Sequence, residues 1–212
     1  MGRNIIIVFL PLLMFSLFFT GCGIFDNNNE ELLREVKAIE ELSNKYANFY
    51  MTTDAYIEKA KEVAKFTNEF YENKLYEGQL IITYSPRWDL FPEAIDMVKR
   101  KNTALFTEEQ LKKLRNILKP AKTEIEVQIS KVYNEGGNKY IFSKGKVVTT
   151  YNGHFYYNYY LRKYTFVKEE KEWKIKSIDT ELYGEDYRKV EKVTFKGEPV
   201  EFLVKFNPLE SD

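Results

Sequence analysis

Reactive side chains are scarce in this chain. Its 212 residues include one cysteine, Cys22, and one histidine, His154. A lone thiol cannot close an internal disulfide, so stability must come from a packed core. A metal site built on histidine is excluded for want of a second imidazole. The sequence has no Ser-His-Asp order, no glycine-rich phosphate loop and no nucleophile elbow, and no motif calls for a cofactor. Charge of one sign is also missing. Thirty-two basic residues balance thirty-two acidic ones, which leaves no footprint for nucleic acid and no polybasic membrane patch. No repeat or long low-complexity tract is present. The remaining candidates for chemistry have plainer readings. His154 directly follows the turn-forming Asn152-Gly153 and is expected at an exposed strand end. Glu169, Glu170 and Glu172 sit among Lys168 and Lys171 as a solvated turn, and Asp89, Glu93 and Asp96 surround a helix start, where acids stabilise the dipole.

One apolar run does occur. After Met-Gly-Arg, residues Ile5 to Thr20 are almost purely apolar, broken by Pro11 and Ser16, and Gly21-Cys22-Gly23 follows. As a helix the run would rise about 24 Å, short of the roughly 30 Å hydrocarbon core, so it reads as an export signal rather than a permanent span. The residues "FTGC", 19 to 22, resemble the bacterial lipobox, with Phe19 where that motif usually carries Leu, Val or Ile. The resemblance implies a signal peptide over residues 1–21 and a diacylglycerol thioether on Cys22, with palmitate-type chains as the anchor. The protein would then sit on the extracytoplasmic face of the cell membrane. Acyl chains on one residue hold durably, at about 0.8 kcal/mol per buried methylene. "GIFDNNN", residues 23–29, would be a short tether, keeping any partner near the lipid surface.

Beyond the tether, the hydrophobic period changes once. Leu32, Val36, Ile39, Leu42, Tyr46 and Phe49 mark one helix face over residues 30–50, capped by Asn28 or Asn29. Tyr56, Ala60, Val63, Phe66 and Phe70 predict a second helix, capped at Thr53-Asp54 and ending near Lys74 or Leu75. "QLIITY", residues 79–84, reads as a short strand. Phe91-Pro92 opens a third helix, and "TEEQ", residues 107–110, is a capping box for a fourth that stops before Pro120. After Pro120 the period is two. Ile125, Val127 and Ile129 alternate with Glu124, Glu126 and Gln128, and "EGGN", residues 135–138, turns the chain into a second strand from about Lys139 to Thr150. Asn152-Gly153 turns it again, and "KEEK", residues 168–171, leads into a fourth strand from Glu172 to about Leu182. The expected fold is α+β, with N-terminal helices packed on a curved four-stranded antiparallel meander over residues 30–183 and a C-terminal hairpin in an extension over 184–212.

This element order, with "EWKIKSID" (residues 172–179) on the last strand of the meander, resembles the nuclear transport factor 2-like superfamily of cone-shaped folds. The resemblance implies a concave pocket between helices and sheet, used by relatives for small-molecule chemistry or for protein contact. Fold does not choose between these.

The sixteen residues "YNGHFYYNYYLRKYTF", 151–166, hold six tyrosines and two phenylalanines. A two-residue turn at Asn152-Gly153 pairs Phe155 with Thr150, Tyr157 with Val148, Tyr159 with Lys146 and Leu161 with Lys144 on one face. On the other face it pairs Tyr156 with Thr149, Asn158 with Val147, Tyr160 with Gly145 and Tyr164 with Ile141. A turn at Glu169-Glu170 would add Phe166 to Trp173 and Tyr164 to Ile175. Tyr156, Tyr160, Tyr164, Phe166, Trp173 and Ile175 then face the helices. Phe155, Tyr157, Tyr159 and Leu161 face outward beside Lys144, Lys146 and Lys163, either as a contact surface or as a floor beneath the C-terminal hairpin around Lys196 to Pro199. Two functions stay open. One is a membrane-tethered, non-catalytic interaction module for a protein or cell-wall partner, with Phe155, Tyr157 and Tyr159 as its contact and glycan as a subtype. The other is a small-molecule receptor or weak enzyme whose pocket is lined by Tyr84, Trp88, Tyr160 and Trp173.

Overall fold

The structure is a computed structural model and describes residues 27–72, 86–101 and 103–210. The apolar leader, Cys22, the strand expected at residues 79–84 and Tyr84 lie outside the described residues. Helix α1 spans Asn27–Ala47, so Asn28 and Asn29 fall inside its first turn instead of capping it. The Asn29 side chain accepts a bond from Lys139 Nζ at 2.6 Å. The helix ends in a Schellman motif, with Tyr50 N–H donating to Lys45 O and Phe49 N–H to Tyr46 O, both at 2.9 Å. Phe49 takes the left-handed position there, at φ 64°. A glycine would occupy it without strain, but the Phe49 ring is buried in a cluster with Phe91, Ala94, Phe106, Leu111, Leu114 and Leu118.

Helix α2 covers Thr53–Val63, capped by Thr52, and α3 covers Asn68–Glu72. A single helix was expected across this stretch. The chain instead leaves helical geometry at Ala64 because its backbone is claimed by a strand: Ile175 N–H donates to Lys65 O at 2.8 Å and Thr67 N–H to Ile175 O at 3.1 Å. Thr67 Oγ1 then accepts from Phe70 N–H and restarts the helix. Helix α4, Pro92–Arg100, has proline in its first turn. Helix α5, Glu108–Leu118, carries both bonds of the Thr107–Gln110 capping box. A short α6, Tyr187–Glu191, comes late in the chain.

The sheet is antiparallel. Its strands are β1 (Lys122–Ser130), β2 (Tyr133–Glu135), β3 (Asn138–Tyr151), β4 (His154–Glu169) and β5 (Glu172–Gly184). A minimal pair, β6 (Thr194–Phe195) and β7 (Glu198–Pro199), precedes β8 (Phe202–Phe206). The main sheet runs β5-β4-β3-β1-β8, with β2 beside the first residues of β3. The β3–β4 register agrees with the sequence reading at every pair from Thr150↔Phe155 to Ile141↔Tyr164. The next hairpin differs. Glu170 and Lys171, both at positive φ, form its tip, so Phe166 pairs with Ile175 and Trp173 with Lys168. "KEEK" holds neither Asn nor Gly, and nothing in its chemistry favours one residue pair at the tip. A bulge at Thr165/Phe166 then brings Tyr164 opposite Ile178, and both Ile175 and Ile178 are buried.

The C-terminal hairpin is also smaller than expected. Only Thr194–Phe195 and Glu198–Pro199 pair, around Lys196-Gly197. Instead of folding back across the sheet, β8 joins its edge beside β1. Unpaired ladder groups on an edge strand are costly and sticky, and β8 satisfies those of β1 as the Lys65–Thr67 segment does part of β5. The main core lies on the helix side. Leu32, Val36 and Ile39 of α1 and Tyr56 and Ala60 of α2 meet Ile125, Val127, Ile141, Tyr160, Tyr164 and Phe166 of the sheet.

Candidate functional site

Two places merit a chemical reading, the interior between α1 and the sheet and the outer face of β4. In the interior, Glu40, Ser43 and Asn44 lie on the buried side of α1, and Ser143, Tyr160, Arg162 and Tyr164 rise from β3 and β4; each of these seven is fully buried. Strand alternation places Tyr160, Arg162 and Tyr164 on one face. Tyr160 Oη donates to Glu40 Oε2 at 2.8 Å, and Tyr164 Oη donates to Oε1 at 2.7 Å. Ser143 Oγ also donates to Oε1. Asn44 Nδ2 donates to Tyr160 Oη at 3.1 Å and to Glu40 O at 2.8 Å. Arg162 Nη1 stands 3.6 Å from the same carboxylate.

Electrostatics follow from the burial. Loss of water raises the hydroxyl pKa of both Tyr160 and Tyr164 well above the ordinary value near 10, and the Glu40 charge raises it further. Burial likewise pushes Tyr56, beside them, up to about 12. Burial alone would pull the Arg162 pKa down, but Glu40 and the surrounding tyrosines outweigh it and move it upward. These tyrosines hold their protons at neutral pH. A general acid or base needs a route to substrate, and these fully buried side chains are sealed from solvent. They form a polar clamp between α1 and β3–β4. Removing one charge of such a pair would leave the other buried and unpaired, at a cost of about 3–5 kcal/mol.

Gly145 makes the clamp possible. A Cβ at that position would stand 2.0 Å from Tyr160 Cε1, so the tyrosine ring occupies the space a side chain would need. The pocket candidates are not brought together. Tyr160 belongs to the clamp, while Trp88 packs half-buried against the separate cluster of Phe49 and Phe91. Trp173 borders the main core, with Lys139 Nζ 4.7 Å from its ring centroid. It pairs with Lys168, eight residues along β4 from Tyr160 and therefore about 26 Å away. His154 is exposed. Among the described residues, no three His, Cys, Asp or Glu side chains group as metal ligands.

The sequence reading missed Arg162 and Glu40. Both carried a signal: Arg162 shares the parity of Tyr160 and Tyr164, and Glu40 continues the four-residue spacing of Leu32 and Val36.

On the outer face, burial changes along β4. Leu161 is buried, Tyr159 is half-buried with its ring 6.3 Å from that of Tyr187 in α6, Tyr157 is 37% exposed and Phe155 is 61% exposed. The C-terminal segment accounts for the gradient. The Phe195 ring packs on Tyr133, Tyr140 and Phe142 at 5.1–5.8 Å, and α6 lies against β4 and β5. That cover stops short of the β3–β4 tip. Lys146 Nζ sits 5.5 Å from the Tyr157 ring centroid, so the open stripe is aromatic with a cation alongside.

No family model, curated protein or solved structure matches the chain. No helix among the described residues is long and apolar enough to cross a membrane.

Proposed function

We propose that this chain is a membrane-anchored extracytoplasmic lipoprotein, held through Cys22, that works as a non-catalytic binding module on a nuclear transport factor 2-like scaffold. Its contact surface is the stripe of Phe155, Tyr157 and Tyr159, and its partner is a protein or cell-wall component of the envelope. The observation that carries this reading is the contrast between the two sides of β4. The helix side is filled by the protein's own Glu40, Arg162 and tyrosines, while the outer side leaves large rings in solvent at the hairpin tip. Rings repeating every second residue stand roughly 6.7 Å apart. That spacing suits the alternate side chains of an extended segment or successive flat sugar faces. The alternative, a small-molecule receptor or weak enzyme using an inner pocket, draws no support from an interior packed in this way.

Photo-cross-linking on intact cells tests the proposal. A cross-linker at exposed Lys146, beside the Tyr157 ring, should capture one dominant species that a cross-linker at exposed Lys59 of α2 does not, and Phe155→Ala with Tyr157→Ala should abolish the capture without lowering Tm. Equal capture from both positions, or undiminished capture by the double variant, would overturn it.

A further inference from the structure

A second surface, independent of the aromatic stripe, lies where the end of α1 meets α5 and the start of β1. A cleft of about 370 Å³ opens there, walled by Tyr50, Arg87, Lys112, Arg115, Asn116 and Lys119 among others, with no acidic residue among the described residues that line it. The size falls at the small end of ligand pockets. Lys112, Arg115 and Lys119 recur at three- and four-residue spacing and so share one side of α5.

Three of the four cations in this cleft lack a carboxylate partner among the described residues, whereas several lysines elsewhere on the surface have one. Lys37, Lys131, Lys174, Lys196 and Lys205 each pair with a glutamate within 4 Å. Arg87 is bound in a two-pronged pair with Asp89 at 2.7 and 2.8 Å. Lys112, Arg115 and Lys119 have no acidic partner within that distance among the described residues. The arginine is also fixed in place. Its Nη1 donates to the carbonyl of Phe49, and its guanidinium lies 5.2 Å from the ring centroid of Tyr50. Phe49 is the residue held at φ 64°, and left-handed strain of this kind gathers at binding sites. Tyr50, next to it, is 56% exposed.

We infer that the cleft is a binding site for a phosphoryl group, carried on a phosphate monoester or diester. Lys112, Arg115 and Lys119 share the anion, Asn116 lies beside them as a neutral donor, and the organic part rests on Tyr50. Three cations without a counter-charge exceed what a single carboxylate would neutralise. A guanidinium already oriented by the Phe49 carbonyl loses little freedom on binding an oxyanion. Last-turn cations also favour the helix dipole, but that role does not extend to Lys112, which lies a full turn earlier than Arg115's end of the helix.

The test uses the full chain in detergent, titrated calorimetrically with pyrophosphate and with glycerol 3-phosphate, and the full chain carrying Cys22→Ser, which removes the acylated thiol, sedimented without detergent with phosphatidylglycerol vesicles and with neutral vesicles. Saturable one-to-one binding of either soluble phosphate, or selective binding to the anionic vesicles, is expected, and the two arms separate a free ligand from a lipid headgroup. Lys112→Gln with Lys119→Gln should weaken either binding by about tenfold or more, whereas Lys59→Gln with Glu58→Gln on α2 should not. All four substituted positions are exposed, so Tm serves as a check that the variants fold. The inference is overturned if neither phosphates nor anionic vesicles bind, or if the α5 and α2 variants lose binding equally. A drop in Tm of the α5 variant with wild-type binding would assign the lysines to the helix dipole and overturn it too.

Discussion

Gly145 and Tyr160 show how a fold can hang on one missing side chain. Their pairing was legible in the sequence because Asn152-Gly153 fixes the register and a large ring then falls opposite glycine. The reason for that pairing was not legible, since it depends on Glu40, 120 residues earlier in the chain, accepting the Tyr160 hydroxyl. Buried charge escapes pattern reading because arginine and glutamate are polar by type and only their partners make them interior. Gly145→Ala should therefore cost more than an ordinary added methyl. The new Cβ would push the Tyr160 ring away from Glu40, combining overpacking with a lost charged hydrogen bond, a destabilisation of about 2–4 kcal/mol. Thermal unfolding checks this, and a loss under 1 kcal/mol would mean that the ring relaxes freely.

Between elements, the instructive junction is where α1 meets the Lys65–Thr67 segment and the β4–β5 turn. Periodicity located the helices but ran α2 and α3 together, because the strand pairing that divides them is made by backbone groups and leaves no mark in side-chain pattern. Glu35 of α1 is buried at this junction. Its carboxylate accepts from Lys65 N–H at 3.4 Å, with Lys65 also bridging Glu31 and Glu172. Burial raises the Glu35 pKa from 4.5 to about 7; the Lys65 amide opposes that rise and Glu31 adds to it. Between those values the folded protein holds a proton that the unfolded chain has released, so stability falls as pH rises through the window. Glu35→Gln should flatten the curve. The variant should gain about 1–3 kcal/mol over the parent at pH 8 and little at pH 4, as read by urea unfolding across that range. A constant difference at every pH would dissociate Glu35 from the effect.

At the scale of the whole molecule, the sequence specified an α+β chain with helices first and an antiparallel sheet after, and that is the architecture observed. Period and turn chemistry act locally and survive tertiary context. The destination of β8 did not follow from them, because an alternating strand can pair with any free edge. The proposed anchor would rest on chemistry at the other end of the chain. Cys22→Ser should move the protein from the membrane to the soluble fraction of lysed cells, and retention on the membrane would refute lipidation at that residue. The same end-to-end scale governs how the domain assembles. Strand β1 reaches its β8 neighbour only across some seventy intervening residues, and Glu40 meets its tyrosines only after β4 exists. Closing such distant contacts is slow, and they reward the chain only late. A growing chain therefore keeps Glu40 hydrated until β4 has been made and the β1 edge open until β8 has followed it, which delays compaction for as long as a polypeptide threaded through a membrane would need to stay extended.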